Sequence, residues 1–283
     1  MSILSINSFV AIGHVGNSAS SFPLQRLGFE VWQLPSVLLS NHRGYETSEG
    51  KSVSVSTLSA MLDGIEKLEH FDLCEGIISG YLTTVEMVEF VADAVKRIKA
   101  VNPEVLYFCD PILGDFKSHL YISEDIANAI RTKLLPLADF VSPNVFELKY
   151  IAGRRQETMQ ATLLSADVLR AYGPKNVIVT SVKGKKGARQ TLSNVLVNDK
   201  GAWRITVPQL SLRAKGTGDT LLALFSAHIL RGENPVRALE LATSTLFGVI
   251  DDTVRHDADE LRLIGAQAEY LSPSYYFDAV RIG

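Results

Sequence analysis

Apolar positions along the chain fall into two kinds of run that alternate from the first residues to about residue 182. Short continuous runs are ILSI (3–6), EVWQLPSVLLS (30–40), EGIISGYL (75–82), EVLYFCDPIL (104–113), DFVSPN (139–144) and NVIVTSV (176–182). Such runs predict strands buried on both faces, because only a sheet covered above and below selects apolar residues at every position. Between them lie helical spacings. NSASSFPLQRLG (17–28) predicts a helix with Asn17 or Ser18 as N-cap and Gly28 just past its end. Residues 56–70 place Leu58, Leu62, Ile65 and Leu68 on one face, and residues 83–101 open on a Thr cap and align Val85, Val88, Val91 and Val95. Residues 123–138 predict a further helix, led by Ser123 and two acids as the helix dipole favours. After 182 the rhythm changes: ARQTLSNVLV and GAWRITVPQL flank the turn sequence NDKG, which predicts an antiparallel pair. Two long helices follow, from about 219 to 231 and 235 to 250. The expected fold is α/β, three layers with a central, mostly parallel sheet, in a single domain over 1–283.

Composition narrows the functions open to such a fold. A net charge of −3 gives no basic footprint for nucleic acid, and two cysteines are too few for a disulfide framework. The first residues carry no secretory pattern and no apolar run is long enough to span a membrane, so a cytoplasmic protein is expected.

The candidate chemistry sits where strands give way to helices, the end of an α/β sheet at which ligands bind. KGTGD (215–219) places Gly216, Thr217, Gly218 and Asp219 at the start of a helix. Unpaired N–H groups there suit phosphate, and the adjacent carboxylate suits a base that takes the proton of an attacking hydroxyl. A ligand-free Asp/Gly cap is the plainer alternative. Asp110 ends one strand, and Asn144 and Glu147 follow another at a helical spacing of three. These hard oxygen donors suit Mg²⁺ and its waters, or else form an ordinary strand end and helix cap.

These residues resemble the ribokinase-like superfamily, whose GxGD and NxxE motifs match Gly216–Asp219 and Asn144–Glu147. Within it the chain is similar, essentially end to end, to pyridoxal kinases. The similarity is carried by INSFVAIGHVGNSASSFPLQRLG, SNH (40–42), SGYL (79–82), YFCDPILGD, SPNVFEL and the tail AQAEYLSPSYYF. The resemblance implies a ribokinase-like fold and transfer of phosphate from Mg²⁺–ATP to the 5′-hydroxyl of pyridoxal. It implies Asp219 as general base, with Gly216, Thr217 and Gly218 as the anion hole. Ser8, Val10, His42, Arg43, Gly44 and Tyr81 would then line the acceptor pocket. Asp110 and Glu147 would act on the metal, directly or through water. Ser142, Asn144, Thr180 and the stretch Leu212, Arg213, Ala214 and Lys215 would contact the nucleotide. It further implies a homodimer and a response to a monovalent cation such as K⁺. Arg43 and Gly44 depart from the Thr-Gln that many members carry, which bears on vitamer preference. A hydroxymethylpyrimidine kinase shares the same machinery, and a carrier of pyridoxal 5′-phosphate is the non-catalytic alternative.

Other stretches that look like chemistry read as structure. GYETSEGKS (44–52) has five residues between its glycines where a P-loop needs four. GHVGNS (13–18) predicts a turn that brings backbone to the substrate and starts the first helix, and KGKKGAR (183–189) a solvated turn. DDTVRHDADE (251–260) predicts a solvated acidic connection, Cys109 a buried thiol, and His14 and His228 structural histidines.

Overall fold

The structure is a computed structural model that describes residues 1–154 and 158–283. The chain runs β1 (Ser2–Val10), α1 (Asn17–Arg26), β2 (Glu30–Leu39), β3 (Gly50–Ser52) and α2 (Val55–Lys67). It continues through β4 (Cys74–Ser79), α3 (Val85–Val101), β5 (Leu106–Cys109), a small hairpin β6 (Gly114–Asp115) and β7 (His119–Leu120), and α4 (Glu124–Ala129). Then come β8 (Phe140–Val141), α5 (Val145–Ala152), α6 (Met159–Arg170) and β9 (Asn176–Lys186). The last part is β10 (Arg189–Asn198), β11 (Gly201–Pro208), α7 (Thr217–Leu230), α8 (Pro235–Arg255) and β12 (Val280–Arg281).

Ten of these strands form one sheet in the order β12-β11-β10-β9-β8-β5-β4-β1-β2-β3. The strands from β9 to β2 in that order pair in parallel, while β10, β11, β12 and β3 pair antiparallel. The NDKG turn sets the β10–β11 register at Asn198↔Gly201, as its sequence predicts. Alternate residues of each parallel strand enter opposite layers. Leu4, Ile6, Ile77, Tyr107, Cys109, Val141, Val177 and Val179 pack under α2 to α6. Ile3, Ile78, Phe108, Phe140 and Ile178 pack under α1, α7 and α8. Phe108 stacks on Phe140 at 4.9 Å, and Phe225 of α7 meets Phe140 edge-on at 5.4 Å, which seats that helix on the sheet. The three-layer α/β fold expected from the apolar runs is the fold observed.

Three local expectations are corrected. The first helix is capped by Gly16, not by Asn17 or Ser18, because the Asn17 side chain turns inward, accepting from Ser5 Oγ at 2.7 Å and donating to the Asn7 carbonyl at 3.1 Å. The helix expected over 123–138 is regular only to Ala129, then widens into a π turn (130–134) and tightens into a 3₁₀ turn (135–137) at Pro136, whose ring nitrogen has no N–H to donate. The first strand outruns ILSI to reach Val10, because its polar Ser5, Asn7 and Ser8 are buried with partners rather than exposed.

β1 lies between β2 and β4: the chain steps one way along the sheet from β1 to β2 and β3, then crosses back to β4 on the other side. That reversal opens a crevice at the carboxyl ends of β1, β4 and β5, the usual ligand position in such sheets.

Candidate active site

The glycine-aspartate stretch occupies this crevice. Gly216 caps α7 with φ 86°, and a Cβ on it would stand 1.8 Å from the His14 carbonyl oxygen, so the position excludes any side chain. The first intrahelical bond runs from the Thr220 N–H to the Gly216 carbonyl, which leaves the N–H groups of Thr217 and Gly218 without an acceptor inside the helix. Gly218 has an ordinary backbone. Its missing side chain opens space toward Asp110, whose Oδ2 lies 3.9 Å from where a Cβ would be.

Asp219 projects from the first turn of α7 into a cradle built by β1 and the turn after it. Asn7 Nδ2 donates to Asp219 Oδ1 at 3.0 Å. Asn7 Oδ1 accepts from the Ser8 N–H at 2.8 Å and the Tyr81 N–H at 2.9 Å, and these two donors fix which way the amide points. The backbone N–H of Gly16 also lies near enough to favour the ionised Asp219. Burial raises the Asp219 pKa above the usual carboxylate value, and the Gly16 and Asn7 donors work against that rise.

Asp110 follows β5 on the other side of the α7 start. Burial, with the Glu147 and Asp219 carboxylates nearby, holds its carboxyl well above the usual range. Its Oδ1 accepts from the Ile112 N–H at 3.3 Å. Glu147 lies behind this loop. Oε2 accepts from the Asn144 N–H at 2.8 Å, and Oε1 from the Leu113 and Gly114 N–H groups at 2.9 and 3.4 Å. Asn144 completes a capping box by accepting from Phe146 and Glu147 N–H, and its amide donates to the Gly114 carbonyl at 2.9 Å. Burial pushes Glu147 up to about 7 despite these donors.

The cap alternative for Asn144 and Glu147 is therefore realised, and it serves the site by fixing the Asp110 loop. Both Glu147 oxygens and the Asn144 carbonyl oxygen are engaged internally, so of the expected metal ligands Asp110 alone keeps an oxygen toward the crevice. Among the described residues no group of three or more acidic, His or Cys side chains could cage a metal. A set of one carboxylate beside two others, each with a raised pKa, fits a divalent ion that keeps its waters and is shared with a substrate phosphate.

The remaining expected residues divide. Ser8 near the end of β1 and Tyr81 just past β4 reach Asp219 through Asn7, and Val10 ends β1, its backbone bonded to Ser18. Ser142, just past β8, and Thr180, within β9, are both buried, and the Thr180 N–H meets the Pro143 carbonyl at 2.9 Å. Leu212, Ala214 and Lys215 lead into α7, and the Lys215 stem reaches within 3.8 Å of a Cβ built on Gly44. Arg213, expected beside the nucleotide, has its guanidinium held by Asp257 and Asp259, each at 2.8 Å. His42, Arg43 and Gly44 form a loop fastened by Glu260, whose Oε1 meets His42 Nε2 at 3.2 Å and the Tyr45 hydroxyl at 2.6 Å, while Oε2 accepts from the His14 N–H at 3.1 Å. The supposed acidic connection is thus solvated at Asp257 and Asp259 but structural at Glu260.

Asn7, Gly16 and Glu260 carry no motif of their own and were not singled out from the sequence. The glycine of GHVGN was legible as a turn, but not as a donor to Asp219.

Three comparisons bear on what this geometry serves. The family model for phosphomethylpyrimidine kinase matches residues 50–261. A pyridoxal kinase PdxY of Leifsonia xyli is 38% identical over 283 residues, covering all of both chains. This chain belongs to the pyridoxal kinase family. A second PdxY, of Deinococcus radiodurans, is also 38% identical and covers 99% of this chain and 96% of its own. Among solved members of the family, pyridoxal kinase from Leishmania donovani in complex with ADP and pyridoxine superposes with a TM-score of 0.92 at 27% identity, covering 100% of this chain and 99% of that one. Pyridoxal kinase from Trypanosoma brucei does so with a TM-score of 0.88 at 28% identity, over 99% of each chain. No helix among the described residues is long and apolar enough to cross a membrane.

Proposed function

We propose that the protein is a pyridoxal kinase, moving the γ-phosphoryl group of ATP to the 5′-hydroxyl of pyridoxal to give ADP and pyridoxal 5′-phosphate. The likeness to PdxY proteins through residues 1–49 carries the choice of acceptor. That segment lies outside the phosphomethylpyrimidine kinase match, yet it contributes Asn7, Ser8, Gly16 and the 41–48 loop. A hydroxymethylpyrimidine kinase would share only the transfer machinery, and a mere carrier would have no need of the intact set Asp110, Asn144, Glu147 and Gly216–Asp219.

In this reading the acceptor hydroxyl lies against Asp219. The carboxylate takes its proton as the oxygen attacks the γ-phosphorus, the bond to the bridging oxygen breaks, and ADP departs with that electron pair. Burial makes Asp219 a stronger base than a surface carboxylate. The Thr217 and Gly218 N–H groups, at the positive end of α7, face the charge on the transferred group, and Lys215 adds to them. Asp110 would hold Mg²⁺, with Glu147 acting through the loop it fixes; the ion supplies charge neutralisation among the phosphates. Ser142, Thr180, Leu212 and Ala214 would line the nucleotide side, and Ser8, Val10, His42 and Tyr81 the pyridine ring. The same reading makes the protein a cytoplasmic homodimer, one domain over 1–283. Phe9 and Leu38, register partners on β1 and β2 and both exposed, with Ile12 close by in sequence, offer apolar surface for a second copy.

The test is to follow pyridoxal 5′-phosphate formation from Mg²⁺–ATP and pyridoxal, with Asp219→Asn alongside and K⁺ exchanged for Na⁺ in a parallel run. Loss of the base is expected to cost ~10²–10⁴ in rate. Turnover of hydroxymethylpyrimidine but not pyridoxal would sink the acceptor, and a variant within a few-fold of wild type would sink Asp219.

A further inference from the structure

Glu260 lies 215 residues from Tyr45, at the end of a turn that follows α8, yet its carboxylate joins three segments around the crevice. One oxygen takes the Tyr45 hydroxyl and His42 Nε2, and the other takes the backbone N–H of His14. The His42 and Tyr45 rings pack against each other at 4.8 Å, and His42 Nδ1 accepts from the Gly44 N–H at 3.0 Å, so the contacts of Glu260 set the shape of the whole 42–45 turn. His14 in turn places its carbonyl against Gly216, so the fixed end of the clamp is the start of α7 itself. Both His42 and Glu260 are largely buried, with 14% and 19% of their side chains exposed, whereas Arg43 between His42 and Gly44 lies open.

From this geometry we infer that Glu260 is a positioning residue, a clamp that holds the 41–48 loop closed over the acceptor side of the site. It touches no reacting atom and acts through His42 and Tyr45. The inference rests on the acceptor pocket proposed above. A carboxylate suits the task because it accepts on both oxygens at once. Glutamine has one acceptor oxygen and must turn its NH₂ either to the His14 N–H or to the Tyr45 hydroxyl and His42. The contacts of Glu260 reach His14, His42 and Tyr45 and none of the residues placed on the nucleotide side, so the KM for ATP supplies an internal control.

The experiment compares wild type, Glu260→Gln, Glu260→Ala, Tyr45→Phe and the Glu260→Ala/Tyr45→Phe double variant. Loop opening is read without any turnover, as the rate at which trypsin cuts after Arg43 to release residues 1–43, identified by mass. The expected result is faster cutting in Glu260→Ala and an intermediate rate in Glu260→Gln. The KM for pyridoxal should rise about tenfold, the factor for a little over 1 kcal/mol of lost hydrogen bonding, with the KM for ATP unchanged. The double variant should be no worse than Glu260→Ala alone, because Tyr45 acts through the same carboxylate. An unchanged cutting rate overturns the clamp. Faster cutting with an unchanged pyridoxal KM overturns its place over the acceptor, and a parallel rise in both KM values shows a merely structural residue. Failure of wild type to phosphorylate pyridoxal counts against the proposed function, while the trypsin rates still decide the clamp.

Discussion

Replacing Asn7 by alanine separates the support of the general base from the base itself. Asn7 is 2% exposed and its side chain makes three hydrogen bonds, donating to Asp219 and accepting from the Ser8 and Tyr81 N–H groups. Truncation leaves two buried N–H groups without an acceptor, at ~1–3 kcal/mol each, so stability should fall by about 3 kcal/mol. That is a large share of the 5–15 kcal/mol typical of a folded domain and is readily measured as a shift in urea midpoint at unchanged slope. The catalytic effect has a definite sign. The amide donor favours ionised Asp219, so its loss raises the pKa of the base further, and kcat should fail on the acid side at a higher pH than in wild type. Asn7→Asp is the companion. It keeps an acceptor for both N–H groups but sets a second carboxylate against Asp219 Oδ1. It should therefore move the acid limb the same way while retaining most of the stability at low pH, where the pair is protonated. The reasoning is refuted if Asn7→Ala unfolds at the wild-type midpoint, or if both variants keep the wild-type acid limb in kcat.

Three further outcomes follow from the same geometry. Asp110→Asn should abolish most activity yet stabilise the nucleotide-free protein above pH 7 by about 1 kcal/mol, since it removes a buried carboxylate crowded by two others; a lower melting temperature would contradict this. Glu147→Gln should cost ~1–3 kcal/mol by turning an NH₂ toward a buried N–H of the Asp110 loop. Because the folded pKa of Glu147 is raised to about 7 from 4.5, wild type gives up stability as pH climbs through that window, so its advantage over Glu147→Gln should shrink across it in urea titrations. Gly216→Ala should reduce turnover by at least tenfold and destabilise the fold by ~1–3 kcal/mol from the left-handed backbone alone, with the overlap on the His14 carbonyl added; a variant with wild-type kinetics and stability would show that the α7 start has slack.

Much of the architecture was legible because burial on both faces leaves a mark at every residue. The Val/Ile/Leu runs of β4, β5 and β9 gave the parallel sheet, NDKG gave the β10–β11 turn, and a threonine cap marked the start of α3, where the Thr84 hydroxyl accepts from the Met87 N–H. Boundaries were harder wherever a polar side chain had a buried partner. Asn17 looked like a cap because asparagine often is one, but nothing local announces that Ser5 and Asn7 wait for it across the layer.

The site divides along the same line. Local chemistry determined the start of α7, since two glycines and an aspartate before an apolar helix constrain backbone, dipole and charge within five residues. The NxxE pair was likewise legible, as a capping box is a contact between residues three apart. Only the tertiary structure decided that Asp110 and Asp219 meet at one crevice with Glu147 fixed behind them, that Asn7 holds the base, that Arg213 pairs with Asp257 and Asp259, and that Glu260 fastens a loop 215 residues distant. Such pairings depend on which strand ends the sheet order brings together, and a single acidic or amide residue in a surface-like sequence carries no periodic trace of the partner it will meet.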